Sequence, residues 1–319
     1  MVKHIFIVNP HAGKGKGAAR ILPQIDSVCK ARGLDYEIHM TTAPGEGETY
    51  TRAQAQTGTH IRFYACGGDG TLYDVFNGVI GCDNAEVACI PMGSGNDFIR
   101  LFGDHEQLAD IGAQIDGTPV ALDVIDCNGK IAINQCSMGF DANVCDKQAS
   151  FKKIPWLKGE SAYVAALLYC FINMKGQDFT IQLDDDPPMT MNVLFCYVGN
   201  SRWYGGGFMA APLAMPDDGL LDVVIVRKDI PKIKFLGLIN DYKSGKHLSW
   251  DRTYFKRARR VRVSSNNTEV VNVDGEIQYT KHAEMKLLDK AVKFVVPANS
   301  TYFADVKSGK ISSKRPIEK

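Results

Sequence analysis

Short apolar runs alternate with amphipathic stretches through the first hundred residues. Residues 3–9 (KHIFIVN) have the pattern of a buried parallel strand. From Ala18 to Arg32, apolar positions at Ile21, Ile25, Val28 and Cys29 mark one face of a helix closed by Gly33, with Pro23 expected in its first turn. Asp35 to Met40 and His60 to Ala65 read as strands. Glu46 to Thr57 and Tyr73 to Ile80 read as helices, and residues 86–91 make a fourth strand. A βαβαβα series predicts a parallel sheet with covering helices.

Beyond Leu101 the period moves from 3.6 to 2. Residues 119–126 and 130–137 are strand-like, and Asn128-Gly129 between them is a hairpin signal. Further strands are expected at 178–183, 190–198, 220–227, 259–264, 269–274 and 284–296, with helices near 160–174 and 231–243. The expected fold class is α/β. An N-terminal doubly wound parallel-sheet domain (1–122) precedes a C-terminal β-sandwich-like domain (123–295), and the polar tail from Ser308 is expected to be mobile.

Composition narrows the function. The chain has 319 residues, 45% hydrophobic and 23% charged, so two cores are within reach. A net charge of +1 supplies no global field toward nucleic acid, so none is expected as a partner. Nine cysteines, mostly inside apolar runs and with no CxxC pair, read as reduced core thiols and point to the cytoplasm. Ser161 to Met174 is too short to cross a bilayer, and the opening residues read as a strand, not a signal peptide.

The chemistry concentrates at strand ends. Cys66-Gly67-Gly68-Asp69-Gly70-Thr71-Leu72 lies at a strand-to-helix turn, where an open α/β sheet binds ligands. Glycines there let backbone approach phosphate, and the next helix presents free N–H groups. Asp69 in such a loop suits a bound cation or its waters better than bare phosphate; the alternative is a plain Gly-Asp-Gly turn. Asn9 to Gly17 is a second Gly/Lys-rich loop without the P-loop pattern, and Met92 to Phe98 is a third. In a doubly wound sheet the loops 9–15, 67–72 and 93–97 converge on one crevice.

Downstream, Gly205 to Gly207 beside aromatics suggests a loop against a ligand or the other domain. Asp217-Asp218-Gly219 reads as a turn whose oxygens also suit a hard cation. Asp274-Gly275 reads as a hairpin turn, with Glu276 just after it able to serve as a general base if the turn faces the crevice. The basic run Phe255 to Arg262 reads as a solvated strand face, or as a contact with anionic lipid headgroups. No HExxH pair or GxSxG elbow supports a hydrolase.

Taken in order, these motifs resemble the diacylglycerol-kinase-type lipid kinases in their small soluble bacterial form. NPHAGKGKG, CGGDGTLYDVFNGV, IPMGSGNDFIR, SMGFDANV, GNSRWYGGGFMAAPLAMPDDGLLDVVIV and NVDGE each have a counterpart, over residues 3 to about 300. GGDGT alone is shared with NAD kinases and, as GGDGS, with phosphofructokinases. The resemblance implies ATP in the crevice, a lipid hydroxyl as acceptor and peripheral contact with a membrane; a homodimer is left open. It places Asn9, Pro10, His11, Ala12, Gly13, Thr41, Gly67, Gly68, Asp69, Gly70, Thr71, Leu72, Tyr73, Asp74, Ser94, Asn96 and Asp97 at the nucleotide. Glu276 becomes the base, with Asp69 beside it in catalysis. The carbonyls of Met215 and Leu220 with the Asp218 carboxylate hold a structural Mg²⁺. The segment 296–319 packs back on the first domain. Tyr73-Asp74 departs from the family's Asn-Glu, and Ser94 replaces a Thr. The expected activity is ATP-dependent phosphorylation of a membrane lipid, diacylglycerol to phosphatidic acid. The alternatives are an NAD-kinase-like enzyme with a soluble acceptor and a non-catalytic nucleotide-binding regulator.

Overall fold

Alternation along the first strand already requires two helical layers. In β1 (Lys3–Val8), Ile5 and Ile7 face one way, Phe6 and Val8 the other, and all four are fully buried. The computed structural model describes residues 2–93, 95–154, 156, 160–229 and 232–313, with backbone alone at 160 and 232–236; Ser94 and the tail from 314 lie outside it. After β1 come α1 (Gly17–Ala31), β2 (Tyr36–Met40), α2 (Glu46–Ala55), β3 (Ile61–Gly67), α3 (Asp69–Val79) and β4 (Ala85–Pro91). The strands are parallel in the order β2-β1-β3-β4. Ile21, Ile25 and Cys29 of α1 cover Phe6 and Val8. Leu72, Val75 and Phe76 of α3 cover Ile5 and Ile7. Pro23 lies in the second turn of α1, not the first as expected.

Two short helices, α4 (His105–Ala109) and α5 (Ile111–Ile115), lead into β5 (Thr118–Cys127). The Asn128-Gly129 hairpin forms, with φ of 51° and 85°, and returns the chain as β6 (Lys130–Ala132). Residues 130–137 are not one strand. The chain breaks at Ile133-Asn134 and resumes as β7 (Gln135–Gly139), because the Asp274 carboxylate takes the amides of Ile133, Asn134 and Gln135. Next come α6 (Phe140–Phe151), α7 (Glu160–Ile172), β8 (Gln177–Leu183), β9 (Met189–Gly199), β10 (Leu221–Arg227), α8 (Lys232–Lys243) and β11 (Thr253–Ala258).

The expected pairs 259–264 and 269–274 are one strand, β12 (Arg260–Val273), with its register shifted between Ser264 and Glu269. It pairs with β7 and β8, each of which pairs with β9, so these strands wrap a shared core of Met138, Ile181, Val198 and Val263. This is the β-sandwich-like half of the fold.

The last strand, β13 (Glu276–Val296), is longer than expected and ties the halves together. It runs antiparallel to β12 and β5, then meets β4 in parallel at Phe294 and Val87. The chain ends in α9 (Tyr302–Lys307), whose buried Tyr302 packs on Phe102 with ring centroids 5.0 Å apart. All nine cysteines are free thiols and seven are buried. Among the described residues no helix is long and apolar enough to cross a membrane.

Candidate active site between the two halves

The three loops at the carboxyl edge of β1, β3 and β4 meet. Asn9 donates its amide N–H to Cys66 O at 3.0 Å, and its Nδ2 lies 3.4 Å from the Thr71 hydroxyl. Met92 and Gly93 both donate to Gly67 O, at 2.7 and 3.1 Å. Glycine is required at the closest approaches. A Cβ on Gly93 would stand 2.6 Å from the Gly68 Cα, and one on Gly67 would stand 2.1 Å from the Thr71 Oγ1. Of the expected nucleotide residues, Pro10, His11, Ala12 and Gly13 form the first loop, tied by the His11 amide to Asn9 Oδ1 at 2.9 Å. Thr41 follows β2 and donates its amide to Val8 O. Gly68 to Leu72 open α3, where the helix N-terminus favours anionic oxygens.

Carboxylates lock this edge together. Asp69 accepts from the amides of Asn96 and Asp97 at 2.7 and 2.8 Å, one on each oxygen. Both bonds tie Asp69 to the third loop, and the residue itself is exposed. Asn96, at a φ of 51°, donates Nδ2 to Gly93 O. Asp97 continues the chain of contacts. One oxygen takes the Arg100 Nε at 3.0 Å and the other the amide of Gly206 at 2.7 Å. Burial raises its pKa, as does the neighbouring Asp69 charge, while the Gly206 N–H and Arg100 pull it down. The glycine triplet is thereby clamped onto the first half.

A cavity of about 300 Å³ opens between the halves, reaching Asp69, Gly95 and Asp97 on one side and the apolar side chains of Phe140, Val144, Leu167, Phe195 and Phe208 on the other. Tyr73 lines it too. Burial raises its phenol pKa, and the next causes are Asp274 and Glu276, so it faces the second domain. Asp74 turns to the Gly45 amide at the head of α2. Burial lifts its pKa to about 6, aided by Glu48 and Glu276. Glu276 is exposed at the start of β13, paired through its backbone with Val273, and among the described residues no side chain or amide bonds its carboxylate.

Asp274 lines the same cavity and is a residue that sequence reasoning passed over. Its φ is 50°, as the hairpin turn requires, and Asp-Gly hides it as turn chemistry. Its carboxylate accepts three backbone N–H groups, from Ile133, Asn134 and Gln135 at 2.6, 3.0 and 2.8 Å. Desolvation still lifts its pKa to about 7, against the pull of those three N–H groups.

The expected Mg²⁺ residues lie at another turn. Asp218 gives one oxygen to the Leu220 amide at 3.1 Å and the other to Arg257 Nη1 at 3.3 Å; Met215 O accepts weakly from the Asp218 amide at 3.4 Å. Among the described residues no three His, Cys, Asp or Glu side chains form a metal cluster, so a cation here would depend on carbonyl donors. The donor chemistry suits a hard ion. Burial raises the pKa of Asp123, Asp217 and Asp218, and Asp123 adds to the rise at the other two. Much of the basic run around this turn is ion-paired. Arg257 also pairs with Asp222 at 2.9 Å, Lys256 with Asp186, and Arg262 with Glu284 at 3.0 Å.

Similar proteins follow the same division. Residues 3–127 match the diacylglycerol kinase catalytic domain, and residues 134–296 match the YegS C-terminal NAD kinase beta sandwich-like domain. A putative lipid kinase, YtlR, from Bacillus subtilis is 28% identical over 290 residues, covering 86% of this chain and 93% of its own. A diacylglycerol kinase from Mycobacterium tuberculosis is 27% identical over 300 residues, covering 91% and 94%. Among solved structures, a putative diacylglycerol kinase from Bacillus anthracis superposes with a TM-score of 0.71 at 22% identity, covering 92% of this chain and 97% of its own. An NAD kinase from Archaeoglobus fulgidus superposes at 0.51 with 13% identity, covering 99% and 100%. The fold is thus that of the two-domain kinases with a GGDGT loop. Within that class, the chain belongs to the diacylglycerol-kinase-type lipid kinase family, with ATP as the implied co-substrate.

Proposed function

We propose that the enzyme transfers the γ-phosphoryl group of ATP to a lipid hydroxyl held in the cavity between its halves. Diacylglycerol, giving phosphatidic acid, is the acceptor that the names of the relatives supply. The observation that carries the reading is the cavity itself: lined mainly by apolar side chains, it opens on the same Asp69–Asp97 edge that the phosphate loops form. An acceptor hydroxyl at that mouth meets the γ-phosphate directly.

The transfer requires mainly positioning and charge neutralisation. The loops from Asn9, Gly68 and Gly93 hold the phosphates, with Asp69 fixing the third loop. Glu276, unbonded in the protein, takes the acceptor's proton. The acceptor oxygen bonds to the γ-phosphorus, the bond from that phosphorus to the bridging oxygen breaks, and ADP leaves. Magnesium, when bound, supplies charge neutralisation; Asp218 with the carbonyls of Met215 and Leu220 would hold a structural ion.

Membrane contact comes from α7. Its Tyr163 and Leu167 line the cavity, while Val164, Leu168 and Ile172 are 51%, 56% and 68% exposed. One helix therefore touches both the acceptor space and the outside with apolar side chains, as entry from a bilayer requires. The single experiment is transfer of labelled phosphate from ATP to total lipid extract in vesicles, against soluble acceptors including NAD. Labelled lipid is expected; label in soluble acceptors alone would overturn the reading. Leu168→Asp and Ile172→Asp should each weaken vesicle binding by roughly tenfold, and unchanged partitioning would remove α7 from the membrane contact.

A further inference from the structure

Among the described residues, the fully enclosed side-chain atoms of the cavity that lack a hydrogen-bond partner are all oxygens. Asp141, in the first turn of α6, is buried in its wall, and neither carboxyl oxygen makes a hydrogen bond. The Ser137 hydroxyl and the first-turn amides lower its pKa from outside bonding geometry, but burial prevails and lifts it to about 6. Asn134 donates Nδ2 to Trp203 O at 2.8 Å and leaves Oδ1 without a partner. Gln135 Oε1 is also unpartnered. All three residues line the cavity, and every one of these atoms accepts a hydrogen bond from the ligand side.

The charged side chains tell the same story. Asp69, Asp97, Asp141 and Asp274 line the cavity, and among the described residues no Lys, Arg or His does. The first two and Asp274 are already bonded to backbone N–H groups; Asp141 is not. A phosphate or carboxylate entering here would meet like charge and no cation. A ligand with spare hydroxyl or amine groups would satisfy acceptors that are otherwise left desolvated and unpaired, which native structures seldom tolerate. The acceptors stand at two places, because β7 separates Asn134 and Gln135, beside Asp274, from Asp141 beyond Gly139.

We propose that this cavity selects a lipid alcohol carrying hydrogen-bond donors beyond the reacting hydroxyl, with Asp141 receiving one of them at the end of the cavity away from the phosphate loops. This rests on the lipid-kinase reading and names its substrate class. Diacylglycerol has only its reacting hydroxyl as a donor. Monoacylglycerol and long-chain amino diols have more. Asp141 acts here as a specificity residue and takes no part in the transfer.

The test compares kcat/KM for dioleoylglycerol, monooleoylglycerol and a long-chain 2-amino-1,3-diol in mixed micelles. The wild type should favour a donor-bearing acceptor by tenfold or more, and Asp141→Ala should bring the ratio within threefold. Asp141→Asn, which keeps one acceptor oxygen, should fall between. A merely structural role would lower all three acceptors together. A wild-type preference for dioleoylglycerol, or a ratio untouched in Asp141→Ala, overturns the proposal. A second arm needs no turnover: calorimetric binding of a short-chain amino diol against the matching alkanol. Preference for the amino diol that vanishes in Asp141→Ala supports the site even if no lipid is phosphorylated, in which case the kinase reading alone falls. Equal binding of the two overturns the site.

Discussion

The acids that line the crevice from its two halves are held in opposite ways. Asp69, Asp97 and Asp274 each accept from backbone N–H groups, Asp97 from the Arg100 guanidinium as well, and the result is a set of fixed loops and turns. Asp141 is buried, unlike the exposed Asp69 and the half-buried Asp274, and neither of its carboxyl oxygens makes a hydrogen bond. A carboxylate that accepts several N–H bonds is a structural clamp. One left unbonded in an apolar wall stores a cost that a ligand can relieve. The difference teaches which acids to read as architecture and which as recognition. Glu276 belongs to neither group. It is exposed beside Tyr73 and Asp74 and free to move a proton.

That assignment is most sharply broken at Glu276. Glu276→Gln should lower kcat by about 10²–10⁴-fold, the range for removing a general base, with ATP affinity and melting temperature unchanged. A near-normal rate would pass the role to another group at the mouth, and Asp69 would be the next to test. Asp69→Ala should act differently. It removes two charge-assisted bonds to the third loop, so ATP affinity should fall roughly tenfold to thirtyfold through loop disorder. If its loss instead leaves ATP binding intact and abolishes turnover alone, Asp69 acts on the chemistry directly, as the sequence pattern suggested.

The division between clamps and recognition groups was only partly legible beforehand. The parallel half was readable because each strand and helix carries its own period, and glycines mark each carboxyl edge. The helix α6 was not, since Gly139 offers no side-chain cap and the following residues have little apolar periodicity. The strand β13 was read only from its apolar end; its first residues, such as Lys281 and His282, are exposed and polar. Asp274 was invisible because turn chemistry explained it fully, and no spacing rule links it to Ile133 through Gln135. Asp141 did leave a signal: a lone acid within Ser137-Met138-Gly139-Phe140-Asp141-Ala142, where apolar and small residues surround it. The ion pairing of the basic run was hidden by sequence distance. Its partners Asp186, Asp218, Asp222 and Glu284 come from other strands and turns.

The smallest effect tests the contrast through pH. Burial lifts Asp141 to about 6, and Asp222 and Asp274 to about 7, all above an unfolded value of 3.8. Asp222 shows how little one partner offsets burial: Arg257 approaches to 2.9 Å without the alignment of a hydrogen bond. For a raised carboxyl the folded state binds the proton more tightly. The stability from these groups is therefore full below the unfolded pKa and is lost as pH rises through 6 to 7. Each group can change stability by at most about 1.4 kcal/mol per pH unit within that window. Melting should accordingly occur several degrees lower at pH 8 than at pH 5. Asp141→Asn should remove part of that slope without lowering the melting temperature at pH 8, because it discards a desolvated charge that no bond compensates. Asp274→Asn should lower melting at both pH values, since an amide cannot accept three backbone N–H groups from the same positions. If Asp141→Asn melts as far below wild type at pH 8 as Asp274→Asn does, the two acids are clamps alike. The separation of architecture from recognition on which the acceptor site depends would then be wrong.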